Sequence, residues 1–394
     1  MNLNKSKLAS LSVSIGLIGM AIFGMLAMAQ VEQYPIDLED GSEKTLKIGA
    51  IYNLEGSQSP LDLPSARGAR LAVQEINALG GIDGKKLELI LCDGKSDPEK
   101  VRECAKSLLD ENISAMMGLS DTDMVLAAAP ASADAGVPFV TSGATSPRLV
   151  GEYEGIFLAC FGDNVQAEAG AEYAYDKMDL KTCSLLVDGD MEYARLLASY
   201  FKERYLELGG EIIMEGFING SDRESLSQAA LDENPDMIYL AAGPEDAKAM
   251  IELLRTAGIL SPVFGGDSLD SPELRRMGMG RIAFSTHALL EENSSITGEF
   301  ARAYREEYGC PPENAFSALG YDTVNLLAEA IDRAGSGDPE AILAALENTS
   351  GFKGVTGEIS YPSGGRIPKK GVTMILLTDG EIVGSEVVTP EQSV

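Results

Sequence analysis

The segment from Gln74 to Lys100, QEINALGGIDGKKLELILCDGKSDPEK, constrains the fold more than any other stretch of the chain. Ala69, Ala72, Val73, Ile76 and Leu79 recur at helical spacing and lead into it. Gly80-Gly81 stops that helix, because glycine accepts the positive φ that a tight turn requires. Leu87–Leu91 is then a short apolar strand. Asp97-Pro98-Glu99 opens a new helix with a side-chain acceptor, a proline at the first helical position and an acid near the positive helix end. The segment therefore spells one helix-to-strand-to-helix step of an α/β sheet, and it follows directly on a strand, Leu46–Tyr52.

The same rhythm continues along the chain. Strands are expected at Ala115–Met117, Val137–Thr141, Cys183–Val187, Glu211–Phe217, Met237–Leu240 and Val263–Gly265. Helices are expected from about Ser65, around Met124–Ala135, and over Tyr193–Leu208, Glu224–Asp232 and Pro244–Ala257. A helical stretch follows over Ile296–Tyr308, Phe316–Ala334 and Pro339–Leu346, and β structure resumes from Gly354 onward. Alternation of this kind gives parallel sheets covered by helices on both faces, and 394 residues exceed one ordinary core, so two α/β lobes are expected.

Charge and the N-terminus set the compartment. A net charge of −30 argues against nucleic acid or an anionic membrane surface as partner, since phosphate binding needs clustered Lys and Arg. Lys5 and Lys7, an apolar run from Leu8 to Ala27 and the small-x-small sequence Ala27-Met28-Ala29 make a signal-peptide layout with cleavage after Ala29; the run is also long enough for an uncleaved anchor. Residues 30–45 read as a polar tether. The five cysteines, Cys92, Cys104, Cys160, Cys183 and Cys310, show no metal spacing and no CxxC pair, and buried thiols are their default reading.

Signals for catalysis are thin. One histidine, His287, leaves no material for multi-His metal sites or His-based triads, and neither GxGxxG nor GxxxxGK[ST] occurs. Small polar residues instead gather after strands: Gly118-Leu119-Ser120-Asp121-Thr122, Ser142-Gly143-Ala144-Thr145-Ser146-Pro147 and Gly266-Asp267-Ser268. Open parallel sheets bind ligands outside the carboxyl ends of their strands, where hydroxyls, backbone N–H groups and helix N-termini cradle anions.

These loops, with Gly68-Ala69-Arg70-Leu71-Ala72-Val73-Gln74-Glu75-Ile76-Asn77-Ala78-Leu79-Gly80-Gly81-Ile82-Asp83-Gly84, Ala135-Gly136-Val137-Pro138, Gly320-Tyr321-Asp322-Thr323-Val324 and Phe352-Lys353-Gly354, resemble the substrate-binding proteins of ABC importers. The branch resembled is the leucine/isoleucine/valine-binding one, with the type I periplasmic-binding-protein fold. The resemblance implies two Rossmann-like, doubly wound lobes joined by three hinge crossings, 46–163 plus 290–371 and 164–289 plus 372–394. It implies an amino-acid carboxylate held by Thr122, Gly143 and Thr145, an α-ammonium held by Asp267, and a second-lobe aromatic supplied by Tyr193. The side-chain pocket departs from the family: Leu61 stands where an aromatic is usual, Tyr193 comes one place late with Glu192 in its slot, and Gly243-Pro244 replaces another aromatic. If Glu192 faces the cleft, a polar, amide or cationic ligand fits; if it faces solvent, it says nothing of the ligand.

The expected function is that of an extracytoplasmic, non-enzymatic solute-binding protein. It captures an amino acid or similar small polar solute and delivers it, as a monomer without cofactor or metal, to an ABC permease in the membrane. A ligand-binding sensor or receptor ectodomain of the same fold, for an amide, urea or other solute, is the alternative.

Overall fold

The computed structural model describes residues 45–219, 223–294, 296–362 and 364–390. The expected export segment and residues 30–44 of the tether lie outside the described residues.

Two sheets organise the chain. β1 (Leu46–Tyr52), β2 (Leu87–Asp93), β3 (Ala115–Gly118), β4 (Phe139–Thr141) and β5 (Ile156–Leu158) form an all-parallel sheet in the order β2-β1-β3-β4-β5. β6 (Thr182–Val187), β7 (Glu211–Phe217), β8 (Met237–Ala241), β9 (Val263–Gly265) and β10 (Arg281–Thr286) form the parallel part of the second. After a small hairpin of β11 (Phe352–Gly354) and β12 (Gly357–Ile359), β13 (Val372–Thr378) and β14 (Glu381–Val388) extend the second sheet antiparallel, giving β14-β13-β10-β9-β8-β6-β7. The chain thus passes between the sheets three times, after β5, after β10 and after β12.

Helices cover both faces of both sheets. α1 (Ser59–Ala78), α2 (Pro98–Leu109), α3 (Thr122–Ala135) and α4 (Pro147–Glu152) link the strands of the first. α5 (Asp163–Glu172), α6 (Glu192–Glu207), α7 (Arg223–Glu233), α8 (Pro244–Thr256) and α9 (Pro272–Met277) serve the second. α10 (Gly298–Tyr308), α11 (Ala315–Ala334) and α12 (Pro339–Glu347) return to the first. Side chains that alternate along each strand feed separate cores. In the first sheet Ile48, Ala50 and Tyr52 pack with α11 residues Val324 and Leu327, whereas Ile51 and Met116 pack with α2 and α3 through Val101 and Val125. In the second, Leu185 and Tyr239 join Leu197 and Phe201 of α6, and Leu186 and Leu240 join Met250 and Leu254 of α8.

Local chemistry accounts for the Gln74–Lys100 step. Gly80 and Gly81 have φ of 107° and 78°, Asp97 accepts from the Glu99 N–H at 2.8 Å, and Pro98 opens α2. The first helix begins at Ser59 instead of about Ser65. Pro60 fits its first turn, and Pro64 lies inside it, so the Pro60 carbonyl gets no N–H from Pro64; it accepts from Asn314 Nδ2 at 2.9 Å instead.

Three elements near the crossings escaped the sequence pattern. β5 is only three residues long, α5 (DNVQAEAGAE) has no apolar stripe, and β10 (RIAFST) is short with an exposed start. The cysteines also differ from the default reading: Cys92 on β2 and Cys104 on α2 form a disulfide with Cα atoms 5.7 Å apart, while Cys160 and Cys183 are buried thiols.

Candidate functional site

The loops after β3 and β9 come together in one cleft between the sheets. Of the expected site residues Tyr193 and Asp267 line it, whereas Thr122, Gly143 and Thr145 do not, Gly143 sitting against Ser120 and Phe316 instead. One wall is Gln58, Leu61, Ser120 and Asp121; the other is Met191, Tyr193, Gly243, Pro244, Asp267 and Ser268; Phe316 of α11 closes one end. The cavity left between them is about 10 Å³, room for roughly one water, so a solute of amino-acid size enters only when the walls part. A larger groove of about 520 Å³ passes Leu289, Ile296, Lys369 and Val387, but it is open, and although buried threonines line it, its acids, Glu358 and Glu386, are exposed. The small cleft is therefore the better candidate.

On the side of the first sheet, burial bears on two hydroxyls. Thr122 Oγ1 is buried and finds no hydrogen-bond partner; Ser120 Oγ, also buried, makes no hydrogen bond of good geometry but lies close enough to Asp62 to oppose the rise of its pKa. A buried hydroxyl without a full set of bonds costs free energy, and Ser120 lines the cleft, so its hydroxyl is open to an external partner; Thr122 stands two residues on, outside the lining. Gly143 donates its N–H to Leu119 O at a long 3.3 Å; a Cβ there would come within 2.7 Å of the Phe316 ring, so only glycine allows that ring to cover the loop. Thr145 Oγ1 donates to Asp163 Oδ1 at 2.6 Å, which commits its proton inside the protein.

The opposite wall is built around Asp267, on the single 3-10 turn Asp267–Leu269. Its Oδ1 accepts from Tyr193 OH at 2.9 Å and from Gln166 Nε2 at 3.2 Å, and Oδ2 meets His287 Nε2 at 2.9 Å. Gln166 in turn accepts from the Asp267 N–H at 3.1 Å and from Ser285 Oγ at 2.7 Å. Phe161 stacks on His287 with centroids 4.1 Å apart, and Phe316 meets the imidazole edge-on. The carboxylate is thus held in one orientation by side chains from α5, α6 and the end of β10. Tyr193, one residue late in the sequence, still reaches the cleft because its hydroxyl spans to Asp267 and, at 3.3 Å, to Ser268 Oγ.

Glu192 does not line the cleft. It pairs with Arg148 of α4 and, at 2.7 Å, with Arg195, so the position offers no free acid to a solute. Leu61 and Gly243-Pro244, the departures from the usual aromatics, do line it, and with Met191 they make its apolar part.

Acids elsewhere around the cleft are shifted. Burial pushes Asp121 up to about 8, helped by the charge of Asp123, against the pull of the Met124 N–H that it caps. Burial pushes Asp163 up to about 7, with Thr145 opposing, and Asp62 up to about 6, with the Asn53 N–H opposing. Asp163 and Gln166 of α5 and His287 after β10 belong to this network although nothing in the sequence pattern singled them out as binding residues. Among the described residues no group of three His, Cys, Asp or Glu is arranged to hold a metal ion.

Comparison with known proteins agrees with this architecture. A Leu/Ile/Val-binding protein homologue from Brucella abortus is 26% identical over 304 residues, covering 76% of this chain and 81% of the relative. The crystal structure of the branched-chain amino acid transporter substrate-binding protein LivJ from Streptococcus pneumoniae, in complex with isoleucine, superposes with a TM-score of 0.82 at 30% identity and covers 88% of this chain and 100% of that one. The leucine-binding protein LivK of Thermotoga maritima gives 0.81 at 28%, covering 88% of this chain and 99% of that one. The periplasmic binding protein family profile matches residues 45–375, and the chain belongs to that non-enzymatic family of solute-binding proteins.

Proposed function

We propose that the protein captures an amino acid, or a solute of similar size and polarity, in the cleft between its two sheets and hands it to an ABC permease. The observation that carries this reading is the pairing, across one buried cleft, of the Ser120 hydroxyl on one wall with a fixed acid on the other, with the unpartnered Thr122 hydroxyl two residues on. A zwitterion complements both: its carboxylate takes Thr122 and Ser120, and its ammonium approaches Asp267 beside Tyr193. Gly143 and Thr145 join the carboxylate side by exchanging their bonds to Leu119 and Asp163 for bonds to the solute. The similarity to isoleucine-bound LivJ supports an amino acid; Leu61, Met191 and Pro244 supply apolar surface for a small side chain, without the usual aromatics.

Closure follows from the same geometry. We assign residues 46–163 plus 290–371 to one lobe and 164–289 plus 372–394 to the other, hinged at the three crossings. A solute that touches both walls favours the closed form, since a ligand shifts an equilibrium only by its differential affinity for the two states. The N-terminal segment exports the chain, with cleavage after Ala29 the preferred outcome.

Thermal-shift measurement against the twenty amino acids, their amides, urea and small carboxylates tests the proposal. A true solute at about 100 times its Kd stabilises the folded state by about 2.7 kcal/mol, which raises Tm by several degrees. Failure of every amino acid to shift Tm, confirmed by calorimetry, would remove the amino-acid reading.

A further inference from the structure

Two long helices begin without a cap of their own. α6 starts after Met191, whose thioether makes no capping bond. α11 starts after Asn314, whose side chain makes none either: its Nδ2 donates to Pro60 O and to Asp270 O, and its Oδ1 meets no donor. Helix starts leave backbone N–H groups that need acceptors. Both helices obtain them from across the cleft.

Asp123, on α3 of the first sheet, accepts from the Glu192 N–H at 3.0 and 3.1 Å and from the Tyr193 N–H at 3.4 Å. Asp270, just after the 3-10 turn of the second sheet, accepts from the Ala315 N–H of α11 at 3.1 Å. Asp270 is held for this by Thr286 Oγ1 and Arg275 Nη2, each at 2.6 Å. Each half of the molecule thus lends an acid to a helix of the other half. α3 has its own cap in Asp121, which accepts from Met124 N–H, so α3 does not require Asp123 as its cap.

We propose that Asp123 and Asp270 are positioning residues for solute binding, capping α6 and α11 only while the two walls of the cleft face each other. Asp123 acts through Tyr193: by fixing the first turn of α6 it sets the phenol against Asp267 and Ser268. The Arg148–Glu192 ion pair lies beside this cap and ties the same turn to α4. The consequence for solute affinity rests on the function proposed above, but the caps themselves do not.

Hydrogen exchange of the Glu192 and Tyr193 amides, in the full protein without solute, reads the cap directly. Asp123→Ala is expected to speed their exchange by about fivefold or more, the scale of a lost N-cap, and Asp123→Asn to restore most of the protection because its amide oxygen still accepts. Glu99→Ala, which removes an acid from the first turn of α2, leaves these amides unchanged. With leucine, isoleucine and valine as probes, Asp123→Ala raises the dissociation rate, and Asp123→Asn raises it less. Proline is tolerated at the first helical position, so Glu192→Pro removes one donor while keeping α6. In that background Asp123→Ala has a smaller effect than it has against Glu192→Ala. Wild-type exchange rates at Glu192 and Tyr193 in Asp123→Ala, or equal effects in the Pro and Ala backgrounds, overturn the proposal. If none of the three amino acids binds the wild type, the amino-acid reading fails, and the exchange rates still decide the caps.

Discussion

At the scale of single residues, the cleft keeps polar groups that the rest of the interior would not tolerate. Thr122 is buried with its hydroxyl unpartnered, a cost that the proposed solute bond would offset. Thr122→Val keeps the shape and removes the hydroxyl. The expected outcome is an unchanged or slightly raised Tm without solute, together with about tenfold weaker solute binding by calorimetry, the upper range for one hydrogen bond. A parallel loss of Tm and affinity would mean that the threonine is structural. The buried acids make a second, pH-dependent prediction. Asp62, Asp163 and Asp121 are raised by burial from the ordinary 3.8 to about 6, 7 and 8, so the folded state prefers them protonated. Their contribution to stability is therefore full at low pH and is lost as pH rises through those values. Between about pH 4 and 8 Tm should fall from this cause, and Asp163→Asn, which mimics the protonated acid, should flatten the part of the slope that Asp163 adds between about pH 4 and 7. An identical Tm–pH curve for the variant would refute the assignment.

At the scale of elements, the contact between α1 and α11 fixes where the cleft loops sit. The helices cross at two glycines: a Cβ on Gly68 would lie 1.7 Å from Ser317 O, and one on Gly320 would lie 1.9 Å from Ser65 O. α11 also carries Phe316, which roofs the loop of Gly143. Gly68→Ala must push the helices apart, at a cost of about 1–3 kcal/mol or more, readable as a drop in urea midpoint. Solute affinity should fall with it, because Phe316 moves with α11. Retention of the wild-type midpoint would show that the helix pair can slide to absorb a methyl group.

At the scale of the whole molecule, the excess of acids acts collectively. A net charge of −30 repels itself in the compact state, and salt screens that repulsion, with a Debye length near 10 Å at 0.1 M. Raising NaCl from about 0.05 to 0.5 M should raise Tm, and a fall would mean that the surface ion pairs, such as Lys177–Glu386 and Arg305–Glu292, outweigh the repulsion.

Read from residues alone, the chain already declares its architecture. Apolar runs alternate with amphipathic stretches, and caps and breakers such as Asp97-Pro98 and Gly80-Gly81 are local chemistry that needs no distant partner, so the strands and helices flanking them were legible. The loops that follow β3 and β9 were legible as well, and their small polar residues Ser120, Asp121, Asp267 and Ser268 line the cleft. What the sequence could not yield were relations across the fold. α5 has no apolar stripe, so neither it nor Gln166 announced itself, although Gln166 bonds both Asp163 and, 101 residues further on from itself, Asp267. Glu192 could have faced solute or solvent until Arg148, 44 residues away, was seen to pair with it. The Cys92–Cys104 bond depended on a strand and a helix bringing two Cα atoms within 5.7 Å. Periodicity and capping are properties of neighbours in the chain, and these the sequence determines by itself. Which donor meets Asp267, and which acid caps α6 and α11, are properties of neighbours in space, and only the packing of the two sheets decides them.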